Sequence, residues 1–108
     1  MTEENLNIEN IRKYLEKRKV IWSVHCSNRL DKRNISRADV KNAIINGKII
    51  EYYYEDYPYP SCLILGNSSN NKMLHIVCGM NNEFLYMITA YYPDENKWDD
   101  DMKIRRKK

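Results

Sequence analysis

Apolar residues recur at helical spacing up to Gly47, and after it they switch to the alternation of strands. Over residues 5–19, Ile8, Ile11 and Leu15, with Tyr14 beside them, form one face, and Arg12, Lys13, Glu16 and Lys17 the other. Val20-Ile21-Trp22 reads as a short, extended and buried connector. Ser23 is suited to cap a second helix, with Val24 and Leu30 toward the core and Cys26 or Ser27 filling small spaces. Asn34 takes the left-handed conformation that ends such a helix. Ser36-Arg37-Ala38-Asp39 then opens a third as a capping box, Val40, Ala43 and Ile44 face inward, and Gly47 closes it.

Residues 48–54, 61–66, 73–80 and 84–92 are rich in β-branched and aromatic side chains and predict strands. A stiff turn with Pro58 and Pro60, the 67–71 turn and the 81–83 turn join them, so an antiparallel meander is expected. Alternation sets Leu74, Ile76 and Cys78 against Met73, His75 and Val77. In the last strand it sets Leu85, Met87, Thr89 and Tyr91 against Phe84, Tyr86, Ile88 and Ala90. The expectation is an α+β fold, N-terminal helices packed on a four-stranded antiparallel sheet. It is one domain over 1–108, divided into an N-terminal helix (1–19), a helical hairpin (20–47), the sheet (48–92) and a C-terminal tail (93–108). Trp98 and Ile104 anchor the tail.

With 108 residues and 43% hydrophobic content, the chain can bury a core without a disulfide or metal staple. No apolar run is long enough for a membrane span, and the N-terminus lacks the pattern of a secretory signal. Three cysteines without framework spacing fit a reducing compartment, and the expected location is the cytoplasm. Net charge is only +3, but it is unevenly spread. Between Arg12 and Arg33 eight Lys and Arg face only Glu16 and Asp31, and the last six residues include five bases. Acid gathers over residues 51–56 and 94–101. Such a distribution offers an anion a local surface.

The second helix concentrates that surface. His25, Arg29 and Arg33 fall on one stripe with Lys32 beside them. Like charges so placed repel by a few tenths of a kcal/mol per pair, which a phosphate relieves. A solvated helix face, or a stripe tied to the acidic 51–56 segment, explains the same pattern without a ligand. Metal-free RNA cleavage needs a base for the 2′-hydroxyl, an acid for the leaving 5′-oxygen and cations for the phosphorane. Histidine suits the first two roles and arginine the third. His25, His75, Arg29 and Arg33 are the catalytic candidates. Lys32, Arg105 and Arg106 are the RNA-binding ones. No paired metal-ligand spacing occurs, His75 and Cys78 point to opposite faces, and three glycines make no phosphate loop, so no metal and no cofactor are expected.

The string Ser23-x-His25-x3-Arg29-x3-Arg33-x-Ile35-Ser36-x2-Asp39-Val40-x2-Ala43-Ile44-x2-Gly47-x-Ile49-Ile50 resembles the signature of the bacterial domain of unknown function 4258. So do Tyr57-Pro58-x-Pro60-Ser61, Leu74-His75-Ile76, Ile88-Thr89-Ala90-Tyr91-x-Pro93, Trp98 and Arg105-Arg106. Cys26 and Leu30 depart from its more common Ala and Met, both as packing changes. The resemblance implies a RelE-like, barnase-related ribonuclease fold. It also implies a messenger-RNA-cleaving toxin of a toxin–antitoxin pair, with a small zinc-finger antitoxin as partner, and by position it implicates Thr89 and Tyr91 in RNA binding beside His25, Arg29, Arg33, His75 and Arg105. The alternative is a non-catalytic RNA- or protein-binding module of the same fold.

Overall fold

The computed structural model describes residues 6–99 and 101–105. In chain order it contains α1 (Ile8–Glu16), β1 (Val20–Trp22), α2 (Val24–Lys32), α3 (Arg37–Asn46), β2 (Lys48–Tyr53), β3 (Ser61–Asn67), β4 (Met73–Met80) and β5 (Leu85–Tyr91). The expected α+β arrangement is present, with one correction: the sheet has five strands, ordered β1-β5-β4-β3-β2. Residues 20–22 are no mere connector. They pair in parallel with β5, Val20 opposite Leu85 and Trp22 opposite Met87, beside a bond from the Leu85 amide to the Lys19 carbonyl. Three residues carry too little pattern to declare a strand; partner groups on β5 make them one.

The helix ends follow from local chemistry. The Asn7 side chain accepts from the Asn10 amide and starts α1, so the helix is shorter than the 5–19 reading. Asn5 lies outside the described residues. Ser23 caps α2 through the Cys26 amide, and Ser36 and Asp39 form the full capping box on α3. Asn34 is left-handed at φ 57°, as expected. Gly47 ends α3 for a different reason than expected, since its backbone is extended (φ −96°, ψ −171°). Space requires the glycine: a Cβ there would stand 2.4 Å from the Ala43 carbonyl oxygen and 2.5 Å from that of Leu65. Arg12 of α1 then holds the end of α3, donating from Nε to the Ile44 carbonyl (3.1 Å) and from NH2 to that of Gly47 (2.8 Å).

All three helices contribute to one core on one face of the sheet. Ile11, Leu30, Val40, Ala43 and Ile44 meet Cys62, Ile64, Leu74, Ile76, Cys78, Leu85, Met87 and Ala90 there. Cys26 lies in that core, but Val24 is 78% exposed and Ile104 67% exposed, so neither takes the packing role expected of it. The sheet face away from the helices carries Glu51, Tyr53, Leu63, Leu65, His75, Val77, Thr89 and Tyr91, read from the registers. A bulge makes the difference in β5. Val77 pairs with Thr89 and Cys78 with Met87, so Ile88 is extra and alternation resets there. Thr89 and Tyr91 therefore lie on the face opposite Leu85 and Met87, whereas unbroken alternation put all four together. Residues 93–99 and 101–105 lie over this second face, and Trp98 is 2% exposed there.

Gly66 sits under the α3 backbone, where a Cβ would fall 1.9 Å from the Ala43 carbonyl oxygen. No side-chain movement relieves such a clash. Gly66→Ala is expected to cost at least about 3 kcal/mol, the upper range for overpacking. Gly79→Ala, whose Cβ would make only ordinary contacts of 3.4 Å and longer, should be neutral or slightly stabilising. Urea unfolding of the two variants checks the contrast.

Candidate functional site

The α2 stripe forms as a surface. His25, Asn28, Arg29, Lys32 and Arg33 line an open hollow of about 310 Å³. Asn28 belongs to it by its helical spacing from His25 and Lys32, a signal present in the chain but outweighed by the charged residues. Arg29 Nε donates to His25 Nε2 at 2.8 Å. Guanidinium has no lone pair to offer, so Nε2 supplies it and the ring proton resides on Nδ1. His25, Arg29 and Lys32 are exposed, whereas Arg33 is half-buried.

Arg33 is half-buried because it turns around the sheet edge. Its NH1 donates to Thr89 Oγ1 (2.9 Å) and to the Ala90 carbonyl (2.8 Å). β1 pairs only with residues 85–87 of β5, so the following stretch has no strand beyond it. Arg33 thus ties the C-terminal end of α2 to that stretch and joins the basic hollow to the second sheet face. Of the 51–56 acids, Glu51 is held by Arg105 rather than by the stripe, Nε to Oε2 and NH2 to Oε1, both at 3.1 Å.

His75 lies elsewhere. It is fully buried opposite Tyr91 and Leu65, with its ring edge-on to Trp98 (centroids 4.4 Å apart) and to Tyr91 (5.4 Å). Its Nε2 sits 2.7 Å from the carbonyl of Met102, whose backbone is left-handed at φ 59°. A carbonyl only accepts, so Nε2 bears the proton and Nδ1 presents a bare lone pair, which has no hydrogen-bond partner among the described residues. Above the ring, Arg105 stacks on Trp98 at 4.6 Å, and Trp98 and Arg105 form a backbone bridge. Burial pushes His75 below the usual imidazole value, against the opposing pulls of the Met102 carbonyl and the Glu51 charge. Burial likewise raises Tyr91, despite Arg105 and Arg33 nearby, and lifts Tyr53 to about 12, helped by its bond to Glu51. Burial works to raise Glu51 too, but the Arg105 fork and then the Tyr53 hydroxyl hold it below the usual carboxylate value.

The expected residues therefore fall into two groups. His25, Arg29, Lys32 and Arg33 converge, with Thr89 at their margin. His75 and Tyr91 form a covered cluster with Glu51, Tyr53 and Trp98, and the exposed Arg105 caps it. Arg106 lies outside the described residues. Glu51 and Tyr53 were not legible as members, because only the β2–β3 register brings them there. Among the described residues, no three His, Cys, Asp or Glu side chains are arranged to hold a metal ion. No helix is long and apolar enough to cross a membrane.

An α+β domain with a basic, imidazole-bearing groove at the edge of its sheet is the class that this geometry defines. The profile of the domain-of-unknown-function family DUF4258 matches residues 22–92, and the chain belongs to that family. The match takes in α2, the stripe and all of β5, but stops short of the segment that covers His75. No curated protein and no solved structure matches the chain.

A buried neutral imidazole gives stability a defined pH dependence. Between the lowered folded value of His75 and the ordinary imidazole value near 6.5, the unfolded chain binds the extra proton. Stability should therefore fall as pH drops from 7.5 to 5.5, above the range where carboxylates titrate. In His75→Gln, whose amide can still donate to Met102, that slope should flatten. Urea unfolding at the two pH values measures it.

Proposed function

We propose that this domain binds single-stranded RNA and cleaves it without a metal ion, as the messenger-RNA-cutting member of a toxin–antitoxin pair. One observation carries the reading: His25 lies in a hollow whose other charged members, Arg29, Lys32 and Arg33, are all cations, with its Nε2 lone pair engaged by Arg29. A phosphate entering the hollow competes for the Arg29 guanidinium, which binds phosphate oxygens as a fork. That exchange frees His25 Nε2 beside the bound phosphate. The imidazole then takes the 2′-hydroxyl proton, the 2′-oxygen attacks phosphorus, and the 5′-oxygen leaves with a proton from the Lys32 ammonium. The products are a 2′,3′-cyclic phosphate and a free 5′-hydroxyl, with Arg29 and Arg33 facing the charge of the phosphorane.

His75 takes no part in this scheme, since Trp98 and the Met102 carbonyl cover it. Tyr91 and Arg105 support the covered cluster, and Thr89 positions Arg33. The toxin assignment draws on the RelE-like resemblance, and it calls for a neutralising partner, for which a small zinc-finger antitoxin with an acidic face is the natural form. A cytoplasmic setting follows from a messenger-RNA substrate. The covering of His75 also favours a second reading, a non-catalytic RNA-binding module, because it leaves a single accessible imidazole.

RNA incubated with the protein and a chelator should yield 2′,3′-cyclic phosphate ends. His25→Ala should lower the rate by about 100-fold or more, the usual contribution of a positioned acid–base group. His75→Gln should keep it. Absence of cleavage by the wild type, with affinity that still falls steeply with salt, would establish the binding module instead. Undiminished cleavage by His25→Ala would remove the assigned base.

A further inference from the structure

A second hollow of about 310 Å³ lies on the sheet face away from the helices, lined by Asp56, Tyr57, Tyr59, Gly79, Tyr86 and Ile88 among others. It sits four residues along β4 from His75, roughly 13 Å at strand rise, and so lies clear of the segment covering that histidine. Its floor exists because residue 79 has no side chain: a Cβ there would project to 3.6 Å from Ile88 Cδ1. One wall is a near-parallel stack of Tyr59 on Tyr86, with centroids 4.8 Å apart and planes at 14°. Asn81 Nδ2 donates to the Tyr86 hydroxyl at 3.1 Å and fixes that ring. Tyr57 is 95% exposed and Ile88 44% exposed, so an aromatic and a branched aliphatic side chain stand in water beside an already ordered aromatic wall. The Asp56 carboxylate accepts from the Ser61 hydroxyl through Oδ2 and presents a hydrogen-bond acceptor at the rim.

The neighbouring hollow identifies the occupant. Ile88 lines the aromatic hollow, and the next residue, Thr89, is held by Arg33, which lines the basic one. The two concavities thus reach consecutive residues of β5 at the β-bulge, one through Ile88 itself and the other through the hold of Arg33 on Thr89. A flat ring with polar edges, carried on a chain of phosphates, satisfies both at once: the charge on the cations, the ring on the tyrosines. An aliphatic protein segment would fill the aromatic hollow but leave the basic one unmatched. The size, at the small end of ligand pockets, suits one ring.

We infer that the Tyr57–Tyr59–Tyr86 hollow is a nucleobase subsite, taking one unstacked base of the strand whose phosphates occupy the α2 groove. This rests on the RNA-binding reading above. Stacking supplies the affinity. The Asp56 acceptor favours a base with an exocyclic amine.

Fluorescence anisotropy of the full chain with a labelled adenine RNA hexamer and an abasic hexamer of equal length tests it. The wild type should bind the adenine strand more tightly. Tyr57→Ser, at a site too exposed to matter to folding, and Gly79→Val, which fills the hollow, should each weaken adenine binding about 5- to 100-fold. Both should leave abasic binding within about twofold, whereas Arg29→Ala should weaken both strands. Equal wild-type affinity for the two strands, or no effect of either hollow variant, would overturn the subsite and leave RNA binding intact. Failure of the wild type to bind either strand would overturn the RNA reading and the subsite together.

Discussion

The backbone of α3 rests directly on β3, and the rest of the molecule is arranged by that contact. The Ala43 carbonyl approaches residues 47 and 66 so closely that neither position has room for a Cβ. Such an approach fixes the helix in height and direction as no layer of interdigitating side chains would. Asp39, Asn42 and Asn46 then extend it laterally: Asp39 binds Ser69, while Asn42 and Asn46 bind the Asn67 backbone. From the other side, Arg12 fastens α1 to the end of the same helix. With α3 so placed, the short connection through Asn34 and Ile35 leaves α2 over β5, and its basic stripe meets the sheet edge.

Polar chemistry divides the two faces of the protein in different ways. In the α2 groove most of the charges are exposed, and one imidazole and one guanidinium engage each other. Over the second sheet face the charges are paired above a buried imidazole: Glu51 is gripped by the exposed Arg105, Arg105 lies on Trp98, and Trp98 covers His75. The two histidines thus meet opposite conditions, one in solvent among cations, the other buried edge-on to Trp98 and Tyr91. Solvent access separates their roles before any question of protonation arises.

Much of this was legible in the chain. Caps at Ser23 and Ser36, the turn at Asn34 and the third predicted strand all stand where periodicity put them, because short-range hydrogen bonds and apolar spacing decide them. What was illegible depends on partners distant in sequence. β1 exists only because β5 offers it a partner, Gly47 is required by Leu65 as much as by its own helix, and Val24 turns outward although its spacing permits burial. The Ile88 bulge shows the limit most clearly. Alternation is a local rule, and one unpaired residue reversed the faces of Thr89 and Tyr91 relative to Leu85. The α2 groove, built from one helix, was readable; the covered cluster, built from three strands and a distant tail, was not.

The hold of Arg33 on β5 has a bearing on how this protein keeps to itself in a crowded solution. Beyond Met87 no strand among the described residues pairs with the outer side of β5, and an open carbonyl there is a template onto which another chain can add. A guanidinium seated on the Ala90 carbonyl occupies that template with a charge. At the opposite border, β2 carries an irregularity between Ile49 and Glu51 and bears Lys48 and Glu51, which likewise resist strand addition. Both margins of the sheet thus carry features that oppose the edge-to-edge growth by which sheet proteins aggregate, and at one of them the guard is a residue of the basic α2 groove.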